Sequence, residues 1–595
     1  MTDIKELAEQ WIALDKNETT RNEIASLLVS NNTDELERRL RNRIEFGTAG
    51  LRGCMQAGFA YMNDLTIIQA SQGLASYIHR TLGPGALKRG VVVGHDHRYN
   101  SERWARLTAG AFLREGFVVW LMRGLVHTPT VPFAVKRLGA AGGVMITASH
   151  NPKQDNGYKV YWENAVQIIE PHDKSIASSI LTASLTPPPS SAWDADTVEG
   201  HERCKDCTAD VRESYIASLK SLLVSPPPPP DPTLKLINTS MHGVSHSILS
   251  SVFSTLSLPA FVPVEEQKEP DPEFRTVGFP NPEESGALDL AMRTAEREGA
   301  EYVLAQDPDA DRFAAAERQS DGSWIQFTGD QLGTLFGEAT MRRYRDGGKP
   351  LDKVAMVAST VSSKMLEAIA RKEGFRFKDC LTGFKYIGNT ALDQVEEGYD
   401  VPFGYEEAIG FMFGDGVRDK DGVAATVVFT QLILTLRAQG NSVNTHLQEL
   451  YERYGHFRTS NSYFVCGEQE TIDRIFGRLR GWDGAPRTYP TSIAGLTVTS
   501  IVDLTTGYDS SNPPTYKPAL PLSSGHMVQI RAKGERTGIV LTIRTSGTEP
   551  KIKYYLEGSG SDPKAVDEDL EVVVKELGEV WLEAGRWGLK KAGEK

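Results

Sequence analysis

Three aspartates alternate with other residues in the hexapeptide DPDADR, at Asp307, Asp309 and Asp311. They follow the apolar run EYVLA, which predicts a strand, and extended backbone would point their carboxylates in one direction. Carboxylates at this density repel one another unless a hard cation such as Mg²⁺ neutralises them. The pattern favours a divalent metal site over a solvated acidic turn, and a phosphatase-type aspartyl nucleophile is a further alternative. An EF-hand is excluded, because Arg312 and Arg318 stand where its loop needs glycine and glutamate.

Ser149 follows another apolar run, in the segment GGVMITASHNP. It could cap a helix, because Ser, Asn and Pro all suit the beginning of one. A serine-protease triad is not favoured, since no Gly-x-Ser-x-Gly elbow surrounds it and the neighbouring side chain of His150 is expected to diverge from it. If Ser149 reacts, phosphoryl chemistry is the alternative, with a metal and cationic groups stabilising the transferring group.

Further stretches have the composition of anion or sugar sites, although each could also be an ordinary polar turn. RTSGTEPK predicts a tight turn whose N–H groups, hydroxyls and flanking cations suit a phosphate. FGTAGLRG is a glycine-rich turn that permits close approach of a ligand. GYEEAIG places two glutamates at a strand end, where they could accept from sugar hydroxyls. The charged residues of these stretches, and of VRDKDG beyond them, are Arg544, Lys551, Arg52, Glu406, Glu407, Arg418 and Lys420.

Strands that end in these polar loops alternate with helical segments along most of the chain. Helices are predicted at Thr33–Phe46 and in SERWARLTAGAFLREG, GALDLAMRTAEREG and SSKMLEAIARKEG. The alternation indicates an α/β architecture repeated about three times, with ligands at the carboxyl ends of the strands. The last stretch predicts strand, tight loop, strand and a charged helix, which suggests a smaller α+β domain.

The composition restricts the partners and the location. The 595 residues have a net charge of −13, which argues against a nucleic-acid-binding surface. The N-terminus lacks an apolar signal core, no apolar run approaches membrane-spanning length, and five cysteines are too few for a disulfide framework. We therefore expect a cytoplasmic protein without a membrane or nucleic-acid partner.

Taken in this order, TASHNPKQDNGYKVYW, DPDADR, TGFKYIGN, GYEEAIGFMFG and RTSGTEPK resemble the α-D-phosphohexomutase superfamily, from Phe46 to about Gly558. The likeness is greatest to its eukaryotic phosphopentomutase or phosphoglucomutase type 2 branch. The resemblance implies three similar mixed α/β sheet domains and a smaller α+β C-terminal domain around a central cleft. The expected domains are 1–210 with the phosphoserine loop, 211–325 with the metal loop, 326–452 with the sugar-recognition loop and 453–595 with the phosphate-binding loop.

The resemblance also implies roles for the site residues. Ser149 would carry the phosphoryl group and, through it, hold Mg²⁺ together with Asp307, Asp309 and Asp311. Arg52, His150 and Lys159 match positions beside the transferred group, and His150 or Lys159 would assist proton transfer. The residues expected to bind the substrate are Arg312, Lys385, Glu406, Glu407, Arg418, Lys420, Arg544, Ser546, Gly547, Thr548 and Lys551.

The implied activity is that of a phosphosugar mutase, which moves phosphate between the 1- and the 5- or 6-position through a phosphoserine enzyme and a bisphosphate intermediate. Glucose 1,6-bisphosphate or ribose 1,5-bisphosphate would serve as activator. Glucose-specific relatives carry serine after the paired glutamates, whereas this chain has Ala408, which favours ribose or deoxyribose 1-phosphate, with glucose 1-phosphate also accepted.

Two alternatives stay open. One is synthesis of glucose 1,6-bisphosphate from 1,3-bisphosphoglycerate, and the less favoured one is a non-catalytic sugar-phosphate sensor. The sequence leaves the oligomeric state open and is compatible with a monomer.

Overall fold

The computed structural model describes residues 2–47, 50–229, 231–546 and 551–592. The chain divides into two compact units, the first formed by Met1–Val357 with Gly383–Val443 and the second by Ala358–Thr382 with Asn444–Lys595. Among the described residues no single helix is long and apolar enough to cross a membrane. Only the bent pair Gly422–Ala438 and Val443–Tyr454 passes by length and composition, and only when both helices are counted together.

The first unit begins with three helices that share its first hydrophobic core. The ring of Trp11 is fully buried and meets Phe59 edge to face at 5.0 Å between ring centroids. The predicted helix at 33–46 ends early, at Leu40, because the backbone N–H of Ile44 instead donates to Phe59 O at 2.7 Å. The helices are α1 (Ile4–Leu14), α2 (Glu18–Val29) and α3 (Thr33–Leu40).

Six strands form the first sheet, and six further helices belong to the same stretch of chain. The strands are β1 (Leu51–Cys54), β2 (Val91–His95), β3 (Val119–Leu121), β4 (Gly142–Ile146), β5 (Asp155–Trp162) and β6 (Cys204–Asp206). The helices are α4 (Asp64–Leu82), α5 (Gly85–Arg89), α6 (Ser101–Arg114), α7 (Thr130–Leu138), α8 (His172–Ala183) and α9 (Thr208–Ser218).

The spatial order of this sheet is β1-β5-β4-β2-β3-β6. Its centre is parallel and apolar, as buried β-branched strands such as VVVGH predict. β5 runs antiparallel to both β4 and β1, so the sheet is mixed. The hairpin between β4 and β5 therefore carries Ser149 at the carboxyl end of a parallel strand.

The second sheet has the order β11-β10-β9-β7-β8, with β7 parallel to β8 and β9 and an antiparallel edge. Its strands are β7 (Leu236–Thr239), β8 (Phe261–Pro263), β9 (Tyr302–Gln306), β10 (Phe313–Arg318) and β11 (Trp324–Gln326). Its helices are α10 (Ser245–Thr255) and α11 (Asp289–Glu298). The loop between β9 and β10 contains the three aspartates.

The third α/β region follows, and within its first strand the chain passes from the first unit to the second, returning before α14. Its helices are α12 (Gly329–Asp346), α13 (Met365–Glu373), α14 (Phe384–Glu396), α15 (Gly422–Ala438) and α16 (Val443–Tyr454). Its strands are β12 (Val354–Ser359), β13 (Arg376–Cys380), β14 (Asp400–Glu406) and β15 (Gly410–Phe413). β14 and β15 pair antiparallel, and the turn between them holds the paired glutamates.

The rest of the second unit is an antiparallel nine-stranded sheet in which β23 pairs with β22, β17 and β16. Its strands are β16 (His456–Thr459), β17 (Ser462–Val465), β18 (Ser492–Ile493), β19 (Leu496–Asp503), β20 (Tyr508–Asp509), β21 (Met527–Lys533), β22 (Thr537–Thr545), β23 (Lys551–Gly560) and β24 (Lys590–Lys591). Its helices are α17 (Gln469–Leu479), α18 (Pro563–Glu576) and α19 (Ala584–Trp587). The predicted fold class, mixed α/β domains followed by an α+β domain, is confirmed.

Candidate active site

Ser149 lies in the tight loop that joins β4 to β5. Its φ of +53° is in the left-handed region, and its backbone N–H donates to Thr147 Oγ1 at 2.9 Å. The buried hydroxyl donates to Asp307 Oδ2 at 2.6 Å. The next regular element is the strand β5, so this serine caps no helix. Ser149 is instead aimed at the aspartate cluster.

The side chain of His150 turns toward Ser149, which corrects the expectation that it diverges. Its Nδ1 lies 3.2 Å from Ser149 Oγ, because the left-handed backbone of Ser149 brings the two neighbouring side chains to the same side. Burial, followed by the positive charges of Arg312 and Arg52, holds the pKa of His150 well below its usual value. A neutral imidazole can accept a proton here.

The aspartates converge through a loop and not through the pleat of a strand. β9 ends at Gln306, and the following turn is closed by the Ala310 N–H, which donates to Asp307 O at 2.8 Å, with Ala310 at a φ of +57°. Gly243 packs against this loop so closely that a Cβ there would lie 2.3 Å from the Pro308 carbonyl oxygen. The loop is therefore fixed by close packing.

The three carboxylates form a buried cluster of oxygen donors. Asp307, Asp309 and Asp311 each offer an oxygen, and these atoms lie within 4.8 Å of one another. Among the described residues, Asp309 Oδ1 and Asp311 Oδ1 are buried without a hydrogen-bond partner. Such acceptors are costly unless something positive satisfies them. Hard oxygen donors converging in this way fit a divalent metal ion.

Two lysines already neutralise part of this charge. Lys159 Nζ lies 2.7 Å from an oxygen of both Asp309 and Asp311, and Lys420 Nζ lies 3.2 Å from Asp311 Oδ2. Burial opposes ionisation of both partners, yet the contact with Lys159 lowers the pKa of Asp309 and raises that of the lysine. The pKa of Asp307 is raised, because burial and the other two aspartates both disfavour its charge.

Two arginines flank the cluster on the side of the serine loop. Arg52, on β1, is exposed and donates to the carbonyl of Ala148. The backbone N–H of Arg312 donates to Asp307 Oδ1 at 2.9 Å. The guanidinium of Arg312 donates to Ala408 O at 2.9 Å and so joins the metal loop to the turn between β14 and β15.

In that turn, Glu406 is buried at the end of β14, and Glu407 is half-buried. Burial raises the pKa of Glu406 to about 7, although Lys420 and Arg312 act against it. Glu406 can therefore donate or accept a hydrogen bond near neutral pH.

Two other residues predicted to bind the substrate lie away from the aspartate cluster. Arg418 is buried and donates to the Val401 carbonyl of β14 at 2.7 Å. Lys385, in the first turn of α14, lies 4.7 Å from the ring centroid of Tyr386, and burial lowers its pKa to about 8. The described contacts of these two residues do not include the aspartate cluster.

The predicted phosphate-binding residues belong to the second unit. Arg544 is on β22 and donates to the Tyr555 hydroxyl at 2.9 Å. The backbone N–H of Ser546 donates to Lys551 O at 3.0 Å across the hairpin, and Lys551 Nζ lies 4.2 Å from the ring centroid of Tyr463. Gly547 and Thr548 lie outside the described residues.

Sequence reasoning missed two residues that organise the first-unit site. Thr128 donates its hydroxyl to Asp309 Oδ2 at 2.6 Å and its N–H to Asp309 O at 2.9 Å. Arg98 donates to several carbonyls of the serine loop. Both lie in polar loops that follow parallel strands, in HDHRYNS after β2 and LVHTPT after β3, which is the signal that could have indicated them.

Three stretches of the chain match the three domains described as phosphoglucomutase/phosphomannomutase, alpha/beta/alpha: domain I at 43–186, domain II at 213–322 and domain III at 328–454. The chain belongs to this family, the α-D-phosphohexomutase superfamily, within its eukaryotic phosphoglucomutase type 2 branch. The resemblance found in the sequence motifs is thereby confirmed.

Relatives of this branch cover nearly the whole chain. It is 43% identical over 594 residues to glucose 1,6-bisphosphate synthase of Homo sapiens, covering 98% of this chain and 94% of that protein. It is 42% identical over 596 residues to phosphopentomutase of Homo sapiens, covering 98% and 96% respectively. It is 42% identical over 593 residues to phosphoribomutase of Saccharomyces cerevisiae, covering 94% and 93%.

Solved structures of more distant proteins share the fold. Parafusin (phosphoglucomutase) from Paramecium, in its open form, has a TM-score of 0.63 at 17% identity, covering 91% of this chain and 95% of that one. A phosphoglucomutase/phosphomannomutase family protein of Burkholderia thailandensis has a TM-score of 0.63 at 16% identity, covering 91% and 98%.

Proposed function

We propose that this enzyme, a phosphosugar mutase and so an intramolecular phosphotransferase, converts ribose or deoxyribose 1-phosphate to the 5-phosphate and also glucose 1-phosphate to the 6-phosphate. One observation carries the proposal. Ser149 Oγ lies 2.6 Å from Asp307 Oδ2, at the edge of a buried cluster of three aspartates, in a chain of this family. A hydroxyl in that position can carry a phosphoryl group next to a metal ion.

We propose Mg²⁺ as the metal, held by Asp307, Asp309 and Asp311 together with an oxygen of the phosphoryl group on Ser149. The Oδ1 atoms of Asp309 and Asp311, which have no hydrogen-bond partner among the described residues, support this assignment, because they are hard ligands of the kind that Mg²⁺ prefers. When bound, Mg²⁺ would neutralise the charge of the transferring phosphoryl group.

The residues around Ser149 suit a two-step transfer. In the first step the P–Oγ bond of phospho-Ser149 breaks, and the phosphorus bonds to a hydroxyl oxygen of the substrate. The proton of that hydroxyl passes to His150, whose Nδ1 lies 3.2 Å from Ser149 Oγ, and from there to the Oγ that the phosphoryl group has left. Lys159 stays charged beside Asp309 and Asp311, which raise its pKa despite burial. The resulting bisphosphate reorients, and its other phosphate returns to Ser149 Oγ. Arg52 and Arg312 offset the negative charge that both steps handle.

Substrate recognition is proposed for two further groups. Glu406 and Glu407 would bind sugar hydroxyls. Lys385, Arg418 and Lys420 would also bind the substrate, from the same region of the chain. Ala408 offers no side-chain hydroxyl, and its carbonyl already accepts from Arg312, which supports acceptance of a pentose. The distal phosphate would be held by Arg544, Ser546, Gly547, Thr548 and Lys551. Glucose 1,6-bisphosphate or ribose 1,5-bisphosphate would phosphorylate Ser149 at the start.

The test is a direct comparison of substrates. Purified protein with Mg²⁺ and a catalytic amount of sugar bisphosphate is given ribose 1-phosphate or glucose 1-phosphate, and formation of the 5- or 6-phosphate is followed. We expect both to react, ribose 1-phosphate with the higher kcat/KM, and Ser149→Ala to be inactive on both. Near-normal turnover by that variant would overturn the assignment of Ser149. A higher kcat/KM for glucose 1-phosphate would overturn the pentose preference.

Synthesis of glucose 1,6-bisphosphate is the second candidate, because identity to the synthase, 43%, does not differ meaningfully from identity to phosphopentomutase, 42%. The two activities share phospho-Ser149 and differ in the donor. Supplying 1,3-bisphosphoglycerate with glucose 1-phosphate separates them, since only a synthase accumulates the bisphosphate. We expect no accumulation above the amount of enzyme.

We also propose a cytoplasmic location, which the five free cysteines support. Imaging of the tagged full chain in its own cell tests it.

A further inference from the structure

Arg98 is a buried arginine whose guanidinium donates its hydrogen bonds to the loop that carries Ser149. It is 3% exposed. One terminal nitrogen donates to Ser149 O at 2.7 Å and to Asn151 O, and the other donates to Pro152 O at 2.8 Å and to Asp155 O at 3.1 Å. A single side chain therefore binds three carbonyls of the β4–β5 loop and that of the first residue of β5 around one planar group.

The loop needs these stabilising hydrogen bonds because its reactive residue, Ser149, has a strained backbone conformation. Ser149 is not glycine, yet its φ is +53°, a conformation that L-residues rarely adopt without support. That conformation puts the hydroxyl 2.6 Å from Asp307 Oδ2 and near His150. Arg98 holds the carbonyl of this same residue, and Arg52 holds the preceding one, of Ala148. The orientation of the reacting hydroxyl thus depends on where these carbonyls are fixed.

Arg98 is itself braced from two sides. Asp96 accepts from the Arg98 backbone N–H at 2.9 Å and from Ser101 Oγ at 2.6 Å, and its second oxygen lies 3.5 Å from Arg98 Nε. The ring of Phe274 lies over the guanidinium, 5.0 Å from Arg98 Cζ. Phe274 comes from the segment between β8 and α11, so the second sheet region helps to position the serine loop of the first. The planar guanidinium is held on its face as well as at its edge.

We propose that Arg98 is a positioning residue for phosphoryl transfer, which holds Ser149 in its left-handed conformation with the hydroxyl aimed at the aspartate cluster. This inference rests on the proposed function of Ser149. Arg98 touches neither the hydroxyl nor the aspartate cluster in any described contact, so it acts only through the loop backbone. Its loss should therefore lower the rate of transfer and leave substrate affinity largely intact.

The experiment uses the full chain with Arg98→Met and Arg98→Lys. Arg89→Met is the matched control, because Arg89 also donates to two loop carbonyls of the same region, those of Gly139 and Ala140, but away from Ser149. For Arg98→Met we expect kcat to fall roughly a hundredfold, the effect of misplacing a reacting group by about 1 Å, with KM within about threefold of wild type. Arg98→Lys should recover part of kcat, and added methylguanidinium should restore part of the activity of Arg98→Met alone.

A readout independent of turnover accompanies the kinetics. Hydrogen exchange should rise in the β4–β5 loop of Arg98→Met, while the strands β2 and β4 keep wild-type protection. An Arg98→Met variant with kcat within twofold of wild type would overturn the proposal. So would a loss that appears only in KM, or one that matches the fall in folded protein or the loss in Arg89→Met. If wild type itself has no mutase activity, the proposed function fails, and loop exchange alone then decides whether Arg98 orders the loop.

Discussion

The two units arrange in opposite ways the residues that we propose to bind phosphate. The first unit brings together buried charges from distant parts of the chain. Ser149 contacts Asp307, and Lys159 contacts Asp309 and Asp311, across 150 to 158 positions of sequence. The second unit presents Arg544 and Ser546 on one hairpin, whose geometry follows from the register of β22 and β23. The first arrangement needs tertiary packing, and the second needs only local pairing.

The difference fits the tasks that we propose for the two regions. Transfer of the phosphoryl group moves negative charge from one oxygen to another. Charged side chains that are already oriented lower the barrier to this transfer because they need not reorganise. Where the distal phosphate is held, a mutase must accept either end of the bisphosphate. General phosphate donors such as Arg544 suit that task better than a rigid pocket for one ring face.

Breaking the dense charge cluster should have the largest effect. Asp309→Asn keeps the shape of the side chain and removes one negative charge from the expected metal site. We expect kcat to fall at least about a hundredfold, with a raised Mg²⁺ requirement, because charge stabilisation of the transfer is lost. Chelation of divalent ions should silence wild type, and Mg²⁺ should restore it. Asp321→Asn, in an exposed turn, is the control. More than a tenth of wild-type kcat in Asp309→Asn would refute a metal role for this residue.

The buried carboxylates of the two units should also respond differently to pH. Lys159 lowers the pKa of Asp309, whereas burial raises the pKa of Glu557, on β23, to about 7, despite hydrogen bonds from Ser363 and from the Lys364 backbone N–H. The folded state therefore holds a proton on Glu557 that the unfolded chain has released, so stability falls between about pH 4.5 and 7. Glu557→Gln should remove this fall, a gain on the order of 3 kcal/mol at pH 8 relative to pH 4.5.

Urea unfolding of both proteins at the two pH values measures the difference for Glu557. A variant-minus-wild-type difference that is the same at both pH values would contradict the raised pKa.

A substitution in the β22–β23 hairpin should reduce activity less than a substitution in the aspartate cluster. Arg544→Met removes a charged donor from the proposed distal phosphate site, and we expect KM to rise about tenfold, the cost of one charge-assisted hydrogen bond, with a smaller change in kcat. Arg536→Met, in the exposed turn that precedes β22, is the control. A fall in kcat as large as that of Asp309→Asn would show that the two regions do not differ as described.

The smallest change concerns the sugar. Ala408→Ser restores the hydroxyl that glucose-specific relatives carry, and we expect the ratio of kcat/KM for glucose 1-phosphate over ribose 1-phosphate to rise about threefold to tenfold. Initial rates on both substrates measure it. An unchanged ratio would show that the residue at position 408 does not determine the sugar preference.

Much of the fold could be predicted from local patterns. Apolar runs and helical periodicity indicated α6, α11 and α13, and β-rich runs indicated the strands β22 and β23. The tight turn predicted between these two strands lies largely outside the described residues. The helix at 33–46 was predicted too long, because Ile44 pairs with a distant backbone group that no local pattern shows. Where a tertiary contact competes with local propensity, the sequence alone gives no sign of the outcome.

The sequence by itself determined the chemical inventory of this protein: a serine after a strand, three alternating aspartates, paired glutamates and an arginine-flanked turn. It also determined the family, because those motifs occur in one order. Only the tertiary structure decided their orientation. The left-handed backbone of Ser149 turned His150 toward the hydroxyl, the Ala310 turn brought the carboxylates together, and Arg98 gathered the loop carbonyls. The contacts of Arg98, and that of Ser149 with Asp307, join residues far apart in the chain, and the packing of separate sheets sets their geometry, which no local pattern encodes.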